Sequence, residues 1–302
     1  MLTVFFHPGP YKTGTTSIQQ YLRRTIGSES PQRVWYPMTT GASPGHVDVF
    51  KDLNGRNEQY CGLLERWIET AKESQVEKLI ISQEDFSTSK PEVLENIRAV
   101  CSGTNVHLIM THRSLKKRVI SQWQEFVKHG ATHTIDDLSK TLKMRRFKPD
   151  LLQKIAKYLL PDEISIVTSG VDESGDRLIR RFIDCLKIDE YVRDFGREID
   201  SNLRINISHG RVETEFIRHL NIMSNYLDEV GIEHDYKFMR RSLVNMMQSE
   251  RWREKVNRLP IELPAMWEDK VHSMAQELFE CLYADFHDGK IRVYGDLSHL
   301  LQ

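Results

Sequence analysis

Short apolar runs rich in β-forming residues alternate along the chain with stretches whose apolar residues recur at helical spacing. "LTVFFH" is the first such run, and Pro8, Gly9 and Pro10 end it. From Thr15 the period changes. In "TTSIQQYLRRTI", Ile18, Tyr21, Leu22 and Ile26 fall on one face of a helix. The same alternation recurs in "KLIISQ", "VHLIMTH" and "EISIVT", the last following the helical pattern of "DLLQKIAKYLL" and the breaker Pro161. Continuous apolar strands alternating with helices predict a mostly parallel central sheet covered by helices on both faces, an α/β fold. "DRLIRRFIDCLKI" is a further helix, and from about Asn206 the pattern is mainly helical. Residues 37–60, rich in Gly, Ser, Thr, Asn and Asp, read as one long loop.

Composition narrows the classes of function. The chain has 302 residues and a formal net charge of −1, which argues against a bulk nucleic-acid binder but leaves room for a local cationic site. No apolar run is long enough to span a bilayer, and the first residues lack the basic and apolar regions of a signal peptide. The four cysteines, Cys61, Cys101, Cys185 and Cys281, are too dispersed for a CxxC pair and read as reduced, structural thiols. The expectation is a soluble cytoplasmic protein.

The stretch that carries chemistry is "HPGPYKTGTTS". A strand, a tight turn and a helix start form an anion site, because the first N–H groups of the helix point outward and the helix dipole favours negative charge there. Gly14 allows close approach. Thr15, Thr16 and Ser17 offer hydroxyls, and Lys12 offers a full positive charge. Helix capping alone needs one such residue. The order differs from GxxxxGK[ST], since the lysine precedes the glycine.

"GPYKTGTTSIQ" resembles the 5′-phosphosulfate loop of sulfotransferases that use 3′-phosphoadenosine 5′-phosphosulfate (PAPS), in the form found in bacterial and carbohydrate-type members. The resemblance implies that Lys12 contacts the phosphosulfate. The backbone from Thr13 to Thr16, with Gly14 and the hydroxyls of Thr16 and Ser17, would wrap the 5′-phosphate. In "LIMTHRSLKKRVISQ", Arg113 and Ser121 have the spacing of that family's 3′-phosphate site, and the planar Arg fork suits a phosphate. Weaker similarity extends to "LIISQEDFS", "FKPDLLQKIAKYLLPDEISIVTSG" and "NISHGRVETEFIRHLN". The glycine-rich C-terminal stretch of the cytosolic small-molecule branch is missing, which points away from that branch.

The fold implied is a P-loop-like three-layer domain over residues 1–302, with a nucleotide-binding α/β core at about 1–190 and a helical extension at about 206–302. The donor would be PAPS, with no metal required. His129 and His133 are separated by Gly130 and read as surface residues. Glu84 follows a central strand, where open α/β sheets collect active-site groups, and is the first candidate for general base. Asp85 is adjacent, and one of the two carboxylates could serve as a cap of the next helix; His7 could face the site from the first strand end, with a structural part favoured. His46, in "GASPGHVDVF", is the rival base. Asn54, Arg56 and Asn57 suit a hydroxyl-rich acceptor, with a carbohydrate favoured. Two other functions fit less of the pattern: a small-molecule P-loop kinase, and a non-catalytic nucleotide-binding protein. The latter would use the basic amphipathic stretch near 237–258 to dock a partner.

Overall fold

The computed structural model describes residues 1–39, 43–55, 62–137, 148–170, 175–194, 210–249, 252 and 261–301. Two compact units result: Met1–Leu115 with Met144–Ile205 and Met274–Gln302, and Lys116–Lys143 with Asn206–Ser273.

The first unit is built on β1 (Thr3–His7), β2 (Gly27–Ser28), β3 (Val34–Pro37), β4 (Lys78–Ser82), β5 (Asn105–Arg113), β6 (Glu163–Ser169) and β7 (Arg292–Tyr294). They form one sheet in the order β2-β3-β4-β1-β5-β6-β7, and every pairing is parallel. In register, His7 lies beside Ser82, and Phe6 lies between Ile81 and Leu108.

Successive side chains of a strand serve opposite faces. Val4 and Phe6 join Leu79, Ile81, Leu108 and Met110 in a core closed by α3 (Leu63–Glu73), α4 (Pro91–Val100) and α6 (Leu151–Leu159). Phe5, Ile80, Ile109 and Val167 face the other way, against α1 (Thr15–Thr25) and α7 (Gly175–Leu186). Helices on both faces of an all-parallel sheet make the three-layer α/β fold that the apolar runs imply.

Between β3 and α3, the expected long loop contains α2 (Val47–Leu53), whose Val49, Phe50 and Leu53 pack on the larger core. Asn54 closes that helix by donating to the Phe50 carbonyl at 2.7 Å, so its amide serves the backbone of this chain. Arg56, Asn57 and Cys61 lie outside the described residues. After α7 comes the short α8 (Asp189–Asp194).

The helical unit takes most of α5 (Leu115–Lys128), then α9 (Arg211–Glu229), α10 (Tyr236–Gln248) and the start of α11 (Ala265–His287). The helical part expected at 206–302 is thus shared between the units, because α11 runs on into the first and β7 joins its sheet. Within the helical unit, Asn221 of α9 donates to the Val127 and Ala131 carbonyls at 2.8 Å each, and Arg218 donates to Thr132 at 3.1 Å. These bonds tie α9 to carbonyls at and just beyond the end of α5, of which that of Val127 also accepts from the Gly130 N–H at 3.1 Å. Among the described residues, no helix is long and apolar enough to cross a membrane. Cys101 and Cys185 are buried free thiols.

The Phe6 ring is fully buried and packs on Phe86 with centroids 4.9 Å apart. Phe6→Ala is expected to cost about 3–5 kcal/mol of stability, read as a lower urea midpoint.

Candidate functional site

The chain leaves β1 toward the β2 edge of the sheet, but leaves β4 and β5 in the opposite direction. Ligands of open α/β sheets bind at such reversals, outside the carboxyl ends of the strands. That end of the sheet carries the loop from Pro8 to Gly14, the Glu84–Thr88 turn after β4, and Arg113 at the end of β5.

His7, the last residue of β1, is fully buried. Its Nδ1 shares a hydrogen bond with Ser82 Oγ of β4 at 2.9 Å, and its Nε2 one with Thr111 Oγ1 of β5 at 3.3 Å. Thr111 Oγ1 in turn lies 2.7 Å from Thr13 Oγ1, and Thr13 also donates to the Pro10 carbonyl at 2.8 Å. One imidazole therefore ties three strand ends together beneath the loop. Gly9 passes so close that a Cβ there would lie 2.8 Å from both His7 Nε2 and Thr15 Oγ1.

Above this network the backbone takes an unusual path. Lys12 has φ 65° and Gly14 has φ 91°, both left-handed. For lysine that conformation is uncommon, and it persists only where the surroundings enforce it. Gly14 precedes α1, which starts with no side-chain cap and no acidic residue in its first turn. The Ser17 N–H donates to the Gly14 carbonyl at 3.0 Å, while those of Thr15 and Thr16, at the very start of α1, have no intrahelical acceptor. The hydroxyls divide. Thr13 and Thr15 are buried and turned into the network, while Thr16 and Ser17 are half-buried. This corrects the expectation that Thr15 offers its hydroxyl outward. Packing beside Thr13 and Gly9 turns it in, which leaves only its backbone N–H to offer at the helix start.

Glu84 opens the turn after β4. Burial raises its carboxyl above the ordinary range, and Asp85 adds to the effect. Hydrogen bonds to its own backbone and from Gln19, and the charge of Lys12, oppose it. Lys12 and Glu84 are therefore within electrostatic reach of each other. Gln19 of α1 also donates to Ser82 Oγ at 3.2 Å, which fixes the amide between the network and the carboxylate. Asp85 has a different task. It accepts from Tyr11 of the loop and from Gln83 Nε2 at 2.9 Å, so it tethers the loop to the β4 end.

His46 is not in a solvated loop. It is 1% exposed, just ahead of α2, between the rings of Tyr36 and Trp67. Its Nδ1 accepts from the Ser82 N–H at 3.0 Å, and its Nε2 donates to the Pro37 carbonyl at 2.9 Å. With both nitrogens held by backbone, and its pKa lowered to about 4 by burial, His46 joins β3 to β4 and has no nitrogen left for an acceptor's proton.

Arg113 is half-buried at the carboxyl end of β5, two residues beyond Thr111. Ser121 lies on α5 in the helical unit and is half-buried. Sequence reasoning favoured a structural part for His7, in keeping with its bonds, and left out Thr111, Ser82 and Gln19. The available signal was a polar residue at or near the end of each of three apolar strands. No protein-family model matches the chain, and neither does any curated protein or solved structure.

Two of the buried histidines, His7 and His46, set a pH dependence of stability, to which His107, also lowered to about 4 by burial, adds. Burial lowers His7 to about 3 and His46 to about 4, below the 6.5 of the unfolded state. Each takes up a proton on unfolding below that value, so their contribution is whole above pH 6.5 and shrinks as pH falls toward 4. The urea midpoint is expected to drop between pH 7 and pH 5, and less steeply in His46→Gln.

Proposed function

We propose that the chain is a sulfotransferase, moving a sulfuryl group from PAPS to a hydroxyl of a carbohydrate or another polar small molecule. The observation that carries this reading is the pairing of an uncapped helix start, headed by Lys12, with a half-buried carboxylate, Glu84, within reach of that lysine's charge. The anion-binding turn alone would serve many phosphate ligands. The adjacent carboxylate with a raised pKa adds a group that can take a proton.

The site residues fit the donor's phosphosulfate group in charge and shape. The left-handed Lys12 and Gly14 shape the backbone for an anion, while the close passage of Gly9 seats the loop on the network beneath. Lys12 and the N–H groups of Thr13 to Thr16 would balance the charge that grows on the leaving phosphate oxygen as its bond to sulfur breaks. Glu84 would take the acceptor's hydroxyl proton as the acceptor oxygen bonds to sulfur. Arg113 would hold the 3′-phosphate, which distinguishes this donor from adenosine 5′-phosphosulfate.

Nucleotide binding tests the reading directly. Adenosine 3′,5′-bisphosphate without Mg²⁺ is expected to raise the melting temperature more than ATP with Mg²⁺, and Arg113→Ala to remove most of that difference. A larger shift with Mg²⁺-ATP would favour a kinase. Lys12→Ala is expected to leave the fold intact and lower sulfuryl transfer by roughly 10²–10³-fold.

Glu84→Gln keeps the shape and removes the proton acceptor. Nucleotide affinity should hold while kcat falls by roughly 10²-fold or more. The base works ionised, so wild-type kcat should decline as pH falls through a pKa above the ordinary carboxylate range. That limb should vanish in the variant.

A further inference from the structure

Helix α9 is packed the wrong way round. An amphipathic helix normally buries its apolar stripe and exposes its polar face. The buried positions of α9 are Glu213, Thr214, Ile217, Asn221 and Ser224. Asn221 and Thr214 face α5, where Gln124 donates to Thr214 at 3.4 Å. Tyr236 of α10 donates to Asn221. Val212, Phe216, Met223, Tyr226 and Val230 are instead 45% to 61% exposed. With His219, whose side chain is 66% exposed, they follow one another at spacings of four, three, four, three and four. That is the a/d repeat by which one helix packs along another.

The stripe is also symmetric in sequence. Counted outward from Asn221, Val212 answers Val230, Phe216 answers Tyr226, and His219 answers Met223. A two-fold axis through the middle of α9 would set valine on valine and aromatic on aromatic. Self-complementarity of this kind is what a two-fold interface between identical chains requires. With about half of each side chain accessible, the stripe offers on the order of 500 Å² per chain. Two copies would cover on the order of 1,000 Å², where specific interfaces begin.

We propose that α9 is a homodimer interface, two copies pairing their α9 helices antiparallel about Asn221. The inference does not depend on the catalytic reading, since every residue in it belongs to the helical unit. An interface of this size and one helix wide gives a reversible dimer.

The test is sedimentation velocity on the full chain from about 1 to 100 μM, a range centred on micromolar dissociation constants. The wild type is expected to shift from monomer to dimer mass across that range. Phe216→Glu/Tyr226→Glu sets carboxylates against each other at both ends of an antiparallel pair, and should weaken it by at least ~100-fold. Phe216→Lys/Tyr226→Glu removes the same apolar area but lets each new lysine meet a new glutamate, and should recover most of that loss. Far-UV circular dichroism and melting temperature, unchanged for substitutions at exposed positions, separate lost pairing from lost folding. A wild type that stays monomeric throughout would overturn the proposal, as would equal dissociation of the two double variants. A monomer that sediments with phosphatidylserine vesicles through this stripe would assign the face to a lipid surface instead.

Discussion

The buried imidazole of His7 is the interaction on which the candidate site rests. Three parallel strands end side by side, and their carboxyl ends are only loosely related by sheet hydrogen bonding once the chain departs into loops. A neutral histidine with one partner on β4 and another on β5 fixes those ends as a set. Because Thr111 continues the chain of hydroxyls to Thr13, the loop above inherits its position from the sheet. This explains how a lysine is held in a left-handed conformation. Local strain of about 1–3 kcal/mol persists where neighbouring contacts leave no alternative.

Burial, more than residue type, sorts the candidate proton carriers. Histidine is intrinsically best suited to neutral pH, yet His46 and His7 are both enclosed and both committed to holding strands together. Of two adjacent carboxylates, Asp85 is committed to Tyr11 and Gln83, and Glu84 feels the charge of the lysine. Four residues that look interchangeable as acids or bases in a one-dimensional listing thus have distinct tasks. Three hold the frame, and one is left with a perturbed carboxyl at the mouth of the site.

The sheet was legible because parallel strands buried on both faces are continuous apolar runs, which few other elements mimic. The anion-binding turn was legible because lysine, glycine and hydroxyl residues crowd a strand-to-helix junction. Less could be read where packing overrides composition. Val47–Leu53 is helical inside a stretch whose average composition is that of a loop, since Val49, Phe50 and Leu53 find the core. The inward turn of Thr15 follows from contacts with Thr13 and Gly9, far below the resolution of a pattern. β7 is three residues long and carries no periodic signal. The helical pattern from about Asn206 announced α9 but did not say which of its sides is buried. Bonding from Asn221 to the end of α5 decides that.

The position of β7 bears on biosynthesis. β6 ends at Ser169, and its sheet partner begins at Arg292, so the larger part of the helical unit, Asn206–Ser273, is translated between them. At ribosomal rates that interval is on the order of ten seconds. For that time the nascent sheet ends in a seven-residue strand with an open hydrogen-bonding edge, the kind of template that invites pairing with a foreign chain. A chaperone binding apolar segments would meet the greatest need during this window, and truncations upstream of residue 292 would make the exposed edge permanent.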